Sequence, residues 1–256
     1  MREIWETPFG NAILKIERAN KHIADFKERL CTSSDRHGPT LHMDGKTGEQ
    51  FLYYGLHDRE LRSDFALITG DAVHNLRSAL DIAWVEIFRQ IAASRSNHTK
   101  FPIDRNKPRQ WIVGVLKSAG VDETSRGFDF VVNHVKGYEG GDPDILALHD
   151  LDIDDKHRVL IPTVTATGVK GVELEYEDGT TETLEIWLTR PNFYRKVVPF
   201  GCKLKNHGEV TFDVTFGTGT PIEHLPIVPM LDRFSGKIWE LIMWLQRMKR
   251  LDRPEI

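Results

Sequence analysis

The chain has 256 residues, of which 40% are hydrophobic and 28% charged, and it carries a net charge of −4. That length supports one large domain or two small ones around a real core, and the balance is ordinary for a soluble globular protein. The mildly acidic total excludes a broad basic surface for duplex nucleic acid but leaves room for a local basic groove.

In chain order, residues 11–30 place Ile13, Ile16, Ala19, Ile23, Phe26 and Leu30 on one face with Lys and Glu between them, which predicts an amphipathic helix. Residues 32–48, TSSDRHGPTLHMDGKTG, are rich in turn formers and read as a loop, and residues 49–54 as a short strand or an extended arm. From Arg59 to Ser94, Leu61, Phe65, Ile68, Ala72, Leu76, Leu80, Ala83, Ile87 and Ile91 recur every three or four residues. This predicts either one helix kinked at Gly70 or two abutting helices. FPI at 101–103 breaks the pattern. Helical spacing returns at 108–118 and 128–135, KGYEGGDP at 136–143 is a loop, and Pro143 suits the first turn of a helix running through ILALHDLDIDDKHR.

After Leu160 the residues alternate in apolar and charged character, with Asp-Gly and Asn-His-Gly as punctuation, which predicts antiparallel sheet. In the first hairpin Val172, Leu174 and Tyr176 must share a face with Leu184, Ile186 and Leu188. A two-residue turn at Asp178-Gly179 would put the two sets on opposite faces, so a three- or five-residue loop, or a bulge with Gly179 at positive φ, is expected. A second hairpin is expected to set Phe200, Cys202 and Leu204 against Val210, Phe212, Val214 and Phe216 across Asn206-His207-Gly208. Leu231, Phe234, Ile238, Leu241, Leu245 and Met248, broadened by Trp239 and Trp244, predict a closing helix whose end gathers Arg247, Lys249, Arg250 and Arg253.

The expected fold is therefore α+β: an N-terminal helical bundle over residues 1–160, then an antiparallel sheet with a C-terminal helix over 161–256 that packs back on the bundle. No apolar run approaches membrane-spanning length, and MREIWETPFGNAIL is too interrupted by charge for a signal peptide. Cys31 and Cys202, far apart and without a CxxC pair, read as free thiols in a reducing cytoplasm. A cytoplasmic protein with no membrane partner is expected. The phosphate-cradling GxxxxGK[ST] and GxGxxG and the GxSxG elbow do not occur, and no cofactor is expected. Trp84, Trp111, Trp239 and Trp244 sit at helical spacing and read as core, and Trp187 is expected to pack under the final helix.

Two stretches carry candidate chemistry. In GDAVHNLRSALD, residues 70–81, Asp71, His74, Ser78 and Asp81 follow helical steps of three, four and three, with Arg77 at the edge of that stripe and Asn75 beside it. A solvated face of a small bundle is the plain reading, yet the stripe lacks the Lys and Glu that fill such faces. Short hydrogen-bonding side chains suit a groove floor or a seam against another helix. In HDLDIDDKHR, residues 149–158, Asp150, Asp154 and His157 share one helical face and His149, Asp152 and Lys156 another. This set, with Asp155 and Arg158, is either a self-neutralised charged turn or a ligand set for a metal, although it lacks a motif such as HExxH.

The co-linear segments GDAVHNLRSALDIAW, FPI and LHDLDIDDKHRVL resemble a family of uncharacterised bacterial and phage-associated proteins over roughly residues 50–160. More loosely, Arg77-Ser78-Ala79-Leu80-Asp81 resembles the start of the motif of HEPN domains, helical bundles of toxins and phage defence. Their active members cleave RNA without metal, using an Arg and a His from two subunits across a dimer seam. The resemblance implies RNA as a partner, a homodimer through the residue 70–85 helix, and His74, Arg77 and Asp81 as candidate catalytic residues. The motif's His would fall at position 82, which is Ile82 here, leaving no evident base for the ribose hydroxyl. Three functions follow as expectations. One is an RNA-binding or degenerate ribonuclease protein of defence or stress. The second is a non-catalytic structural or interaction module in which Asn75, Asp154, Asp155, Lys156, His157 and Arg158 pin helices together. The third is a metal-dependent hydrolase using His74, Asp81, His149, Asp154 and His157.

Overall fold

The computed structural model describes residues 7, 9–36, 38–55, 59–91, 100–158, 160, 162–188 and 193–247, with backbone alone at 34–36, 59–61 and 89–91. The first apolar stripe becomes helix α1 (Gly10–Arg36), which buries Ile13, Ile16, Ala19, Ile23 and Phe26 and half-buries Leu30. Helix α2 (Arg59–Ile91) is one helix of 33 residues packed along α1. Gly70 does not divide it. A Cβ at position 70 would lie 2.7 Å from Cγ of Asp155, so the glycine is there to let the next long helix approach. The expected core positions Leu61 and Ile91 lie outside the described side chains.

Helix α3 (Arg109–Ser118), the single turn α4 (Arg126–Asp129) and a π-helical turn at Phe130–Val135 cover the two shorter helical patterns. Helix α5 (Pro143–His157) begins where Pro143 predicts. The Asp142 carboxylate caps it by accepting the amides of Asp144 and Ile145.

Six strands form two antiparallel sheets among the described residues. One has the order β1 (Thr40–Met43), β2 (Gln50–Gly55), β5 (Phe193–Val198). The other has the order β4 (Thr181–Trp187), β3 (Thr163–Glu175), β6 (Lys203–Thr215). Strand β1 lies in the stretch expected to be loop. The turn formers do make a turn, with Asp44 Oδ1 accepting the amides of Lys46 and Thr47, but the residues before it pair with β2. Strand β2 in turn pairs with β5, so residues from either side of position 160 share a sheet.

The β3–β4 hairpin behaves as its face alternation requires. Glu175 opposes Thr181, leaving a five-residue loop, and Gly179 has φ 83°. The second expected hairpin does not form. Residues 203–215 are one strand paired along β3, and Asn206-His207-Gly208 oppose Lys170 to Glu173 rather than turning. Gly208 is needed because its φ is 72° and a Cβ would lie 2.6 Å from the Lys170 carbonyl oxygen. The turn instead falls at Pro199–Cys202, with Gly201 at φ 82° and Phe200 exposed.

Helix α6 (Ile227–Arg247) closes the fold on α1 and α2. Lys237 and Arg233 tie it to the start of α5 through Asp142 at 2.5 Å and Asp144 at 2.8 Å. Its stripe is buried from Leu231 to Leu245, and Trp244 stacks on Phe130. Met248, Lys249, Arg250 and Arg253 lie outside the described residues. Trp84 is fully buried and Trp111 packs partly against the core, but Trp239 is 42% exposed. Trp187 is 70% exposed. It opposes Gly168 on the exposed side of its sheet, while Ile186 is buried on the other, so Trp187 does not pack under the final helix. No helix among the described residues is long and apolar enough to cross a membrane.

Candidate functional site

The polar stripe of α2 is legible as a stripe but does not serve one neighbour. Helix α2 lies between α1 and α5, and a helical rotation of 100° per residue sends adjacent polar residues to different sides. Arg77 and His74 meet α5, whereas Asn75 turns towards α1.

Arg77 is 4% exposed and all its bonds are internal. Its Nε–H donates to His149 Nδ1 at 3.2 Å, Nη1 to Asp81 Oδ1 at 2.5 Å, and Nη2 to the Phe101 carbonyl at 3.1 Å. Asp81 Oδ1 also accepts the Phe101 amide at 2.7 Å. The Arg77–Asp81 pair thus grips both backbone groups of Phe101, whose ring packs on Trp84. This gives FPI a structural meaning: it is the segment that the α2 ion pair clamps. It also fixes the state of His149. To accept from Arg77, Nδ1 must be unprotonated, and burial followed by the Arg77 charge pushes the imidazole below its usual range, against the pull of Asp150, Asp152 and Asp81.

His74 is half exposed and sits 2.9 Å through Nδ1 from Asp152 Oδ1. A carboxylate accepts, so Nδ1 carries the proton and Nε2 faces the Ser78 hydroxyl at 3.4 Å. The buried Asp152 also takes Lys156, one helical turn on. Asp155 lies against Gly70 and accepts the Leu160 amide; burial, with Asp152 and Asp71 nearby, raises its affinity for a proton.

The remaining charges of the second constellation point elsewhere. Asp154 accepts from Arg158 at 3.1 Å, and Arg158 reaches the Gly219 carbonyl at 2.9 Å. Asp150 pairs with Arg105 at 2.5 Å, and His157 is exposed. His149 and Asp152 look to α2, while Asp150 and Asp154 border a shallow groove with Arg105, Thr220 and Glu223. Arg77 and Asp154 do not pair with each other. Among the described residues no three His, Cys, Asp or Glu side chains converge to hold a metal, so His74, Asp81, His149, Asp154 and His157 are not brought together as ligands.

Asp152, the hub between His74 and Lys156, was visible only as one member of a helical face. Phe101 enters through its backbone, which no side-chain pattern announces. Lys15, which donates to Asn75 Oδ1 at 3.2 Å, is one of several lysines on α1 with nothing in the sequence to single it out. No protein-family model, curated protein or solved structure matches this chain.

Proposed function

We propose that the chain works by binding rather than by catalysis, as an HEPN-like helical module whose α2–α5 polar seam is structural. One observation carries this reading. Arg77, the residue a catalytic role would place towards a ligand, is buried and spends its donors on His149, Asp81 and Phe101 of its own chain. Ile82 in place of a motif histidine supports RNA contact without cleavage. Under this reading Asp154, Asp155, Lys156 and Arg158 brace α5, and a homodimer formed through residues 70–85 would use the side of α2 that α1 and α5 leave open. Thermal denaturation of Arg77→Lys tests the seam. The variant is expected to lose stability, because a lysine cannot reach three acceptors in a plane. Unchanged stability together with loss of a separable activity would overturn it.

RNA as the partner, in a defence or stress role, is the second reading, and a separate surface favours it. On the outer face of the β1-β2-β5 sheet, His42 and Tyr53 meet at 5.3 Å and Tyr53 and Phe193 at 5.7 Å, and Arg195 lies 4.3 Å over the Phe51 ring. Exposed rings and a guanidinium plane are the chemistry on which unpaired bases stack. Titration of a labelled single-stranded RNA is expected to show binding that weakens in Phe193→Ala and Arg195→Ala. Failure to bind, or binding indifferent to both changes, would remove this reading.

A further inference from the structure

The side of α2 that turns from α5 carries a concave surface of different chemistry. Asn11, Leu14, Lys15 and Arg18 of α1 enclose, with Asn75 and Ile82 of α2, a groove of about 490 Å³. That size fits a small organic molecule. Leu14 and Ile82 supply apolar walls, and Asn75, only 9% exposed, anchors the polar end. The Asn75 amide group donates to the Asp71 carbonyl at 2.8 Å, which turns its Oδ1 to the Lys15 ammonium. One of the three ammonium donors is used this way, and no other acceptor among the described residues takes the remaining two.

The charge in the groove is one-sided. Among the described residues no carboxylate lies within ion-pairing distance of Lys15 or Arg18. Glu86, one turn beyond Ile82, is already committed, with both oxygens 3.0 Å from the Phe9 amide. Asp71 and Asp25 act on His22, where they oppose burial and the Arg18 charge. Two cations three residues apart on α1 face the same side of the helix.

We propose that this groove binds a phosphate monoester with a compact apolar body. The phosphate sits between Lys15 and Arg18, and the body rests against Leu14 and Ile82. A dianion satisfies both cations, whereas a single carboxylate would leave one unmatched. The group recognised is the same in a free ester and at the phosphorylated end of an RNA strand. The site uses neither Arg77 nor the sheet face, so it stands apart from the function proposed above.

Isothermal titration calorimetry with phenyl phosphate, inorganic phosphate and phenol tests it on the full chain. Phenyl phosphate is expected to bind at one site, more tightly than inorganic phosphate, with phenol silent. Arg18→Glu, at an exposed position, should weaken binding by about tenfold or more without changing Tm, and Ile82→Asp should also weaken it by placing a carboxylate at the wall, with some loss of Tm because Ile82 packs partly against the core. Absence of binding at millimolar phenyl phosphate, or equal affinity in both variants, would overturn the proposal. Terminally phosphorylated and unphosphorylated RNA tetramers separate the sources. A phosphorylated tetramer that binds more tightly than phenyl phosphate assigns the site to RNA ends, and equal affinity assigns it to small esters. The seam reads out in denaturation and this groove in calorimetry, so failure of one is distinguishable from failure of the other.

Discussion

Replacing Arg77 by Met keeps most of the apolar stem and removes all the donors that bind α2 to His149 and Phe101. The Phe101 carbonyl then loses its Nη2 partner inside the protein, and an unsatisfied buried acceptor costs about 1–3 kcal/mol. Breaking a buried ion pair costs about 3–5 kcal/mol, but Asp81 is 27% exposed and partly regains water, so the low end applies. A total near 3 kcal/mol is expected, which is a fall of about 6–12 °C in Tm for a chain of this size. Urea and thermal denaturation followed by circular dichroism measure it. Asp81→Asn keeps an oxygen for the Phe101 amide and should cost less, about 1–2 kcal/mol. The double variant should then show a coupling of about 1–2 kcal/mol between the two sites. A single-variant loss within about 0.5 kcal/mol, or strict additivity in the cycle, would refute the clamp.

Four further outcomes follow from the structure. His149 is held below its usual value of 6.5, so as pH falls through that value the unfolded chain takes up a proton that the folded chain refuses. Stability present above about pH 6.5 should therefore be lost below it, and His149→Gln should flatten that slope in denaturation at a series of pH values. Asp155 has the opposite sign. Its raised affinity for a proton makes its contribution decline as pH rises above its usual 3.8, so Asp155→Asn should remove a loss of stability with rising pH, where His149→Gln removes a gain. Gly70→Ala, which on helix propensity alone would stabilise by about 1 kcal/mol, should instead lower Tm because of Asp155, and Asp155→Ala in the same chain should recover the loss. Gly208→Ala, strained at φ 72° and against the Lys170 carbonyl, should cost about 1–3 kcal/mol in denaturation.

How far the residues announced this fold depends on how many neighbours each element serves. Helix α1 presents one apolar stripe to all its neighbours, α2, α6 and β6, and the residues from Ile13 to Phe26 named from spacing are the ones buried. Helix α2 meets α1 on one side and α5 on another, so its polar residues read as one ribbon when they are two: His74 and Arg77 for α5, Asn75 for α1. A sequence gives the angular position of a side chain and not which helix waits there. Strand β1 has no apolar alternation to reveal it, because it is a short edge whose stability comes from backbone pairing with β2. Asn206-His207-Gly208 has the composition of a turn, but its glycine is used to pass the Lys170 carbonyl inside a long strand. Local composition lost to non-local pairing at that position. The β3–β4 loop was readable because face alternation is a parity argument, and parity does not depend on distant partners.

The account rests on Arg77 being sealed between α2, α5 and Phe101, and nuclear magnetic resonance of its side chain tests this most directly. In a 15N-labelled sample at neutral pH, the Arg77 Nε–H should give a sharp, slowly exchanging resonance that is lost in Arg77→Met and shifts in His149→Gln. An Arg77 signal that exchanges with water as fast as those of the exposed arginines, indifferent to His149, would contradict the account.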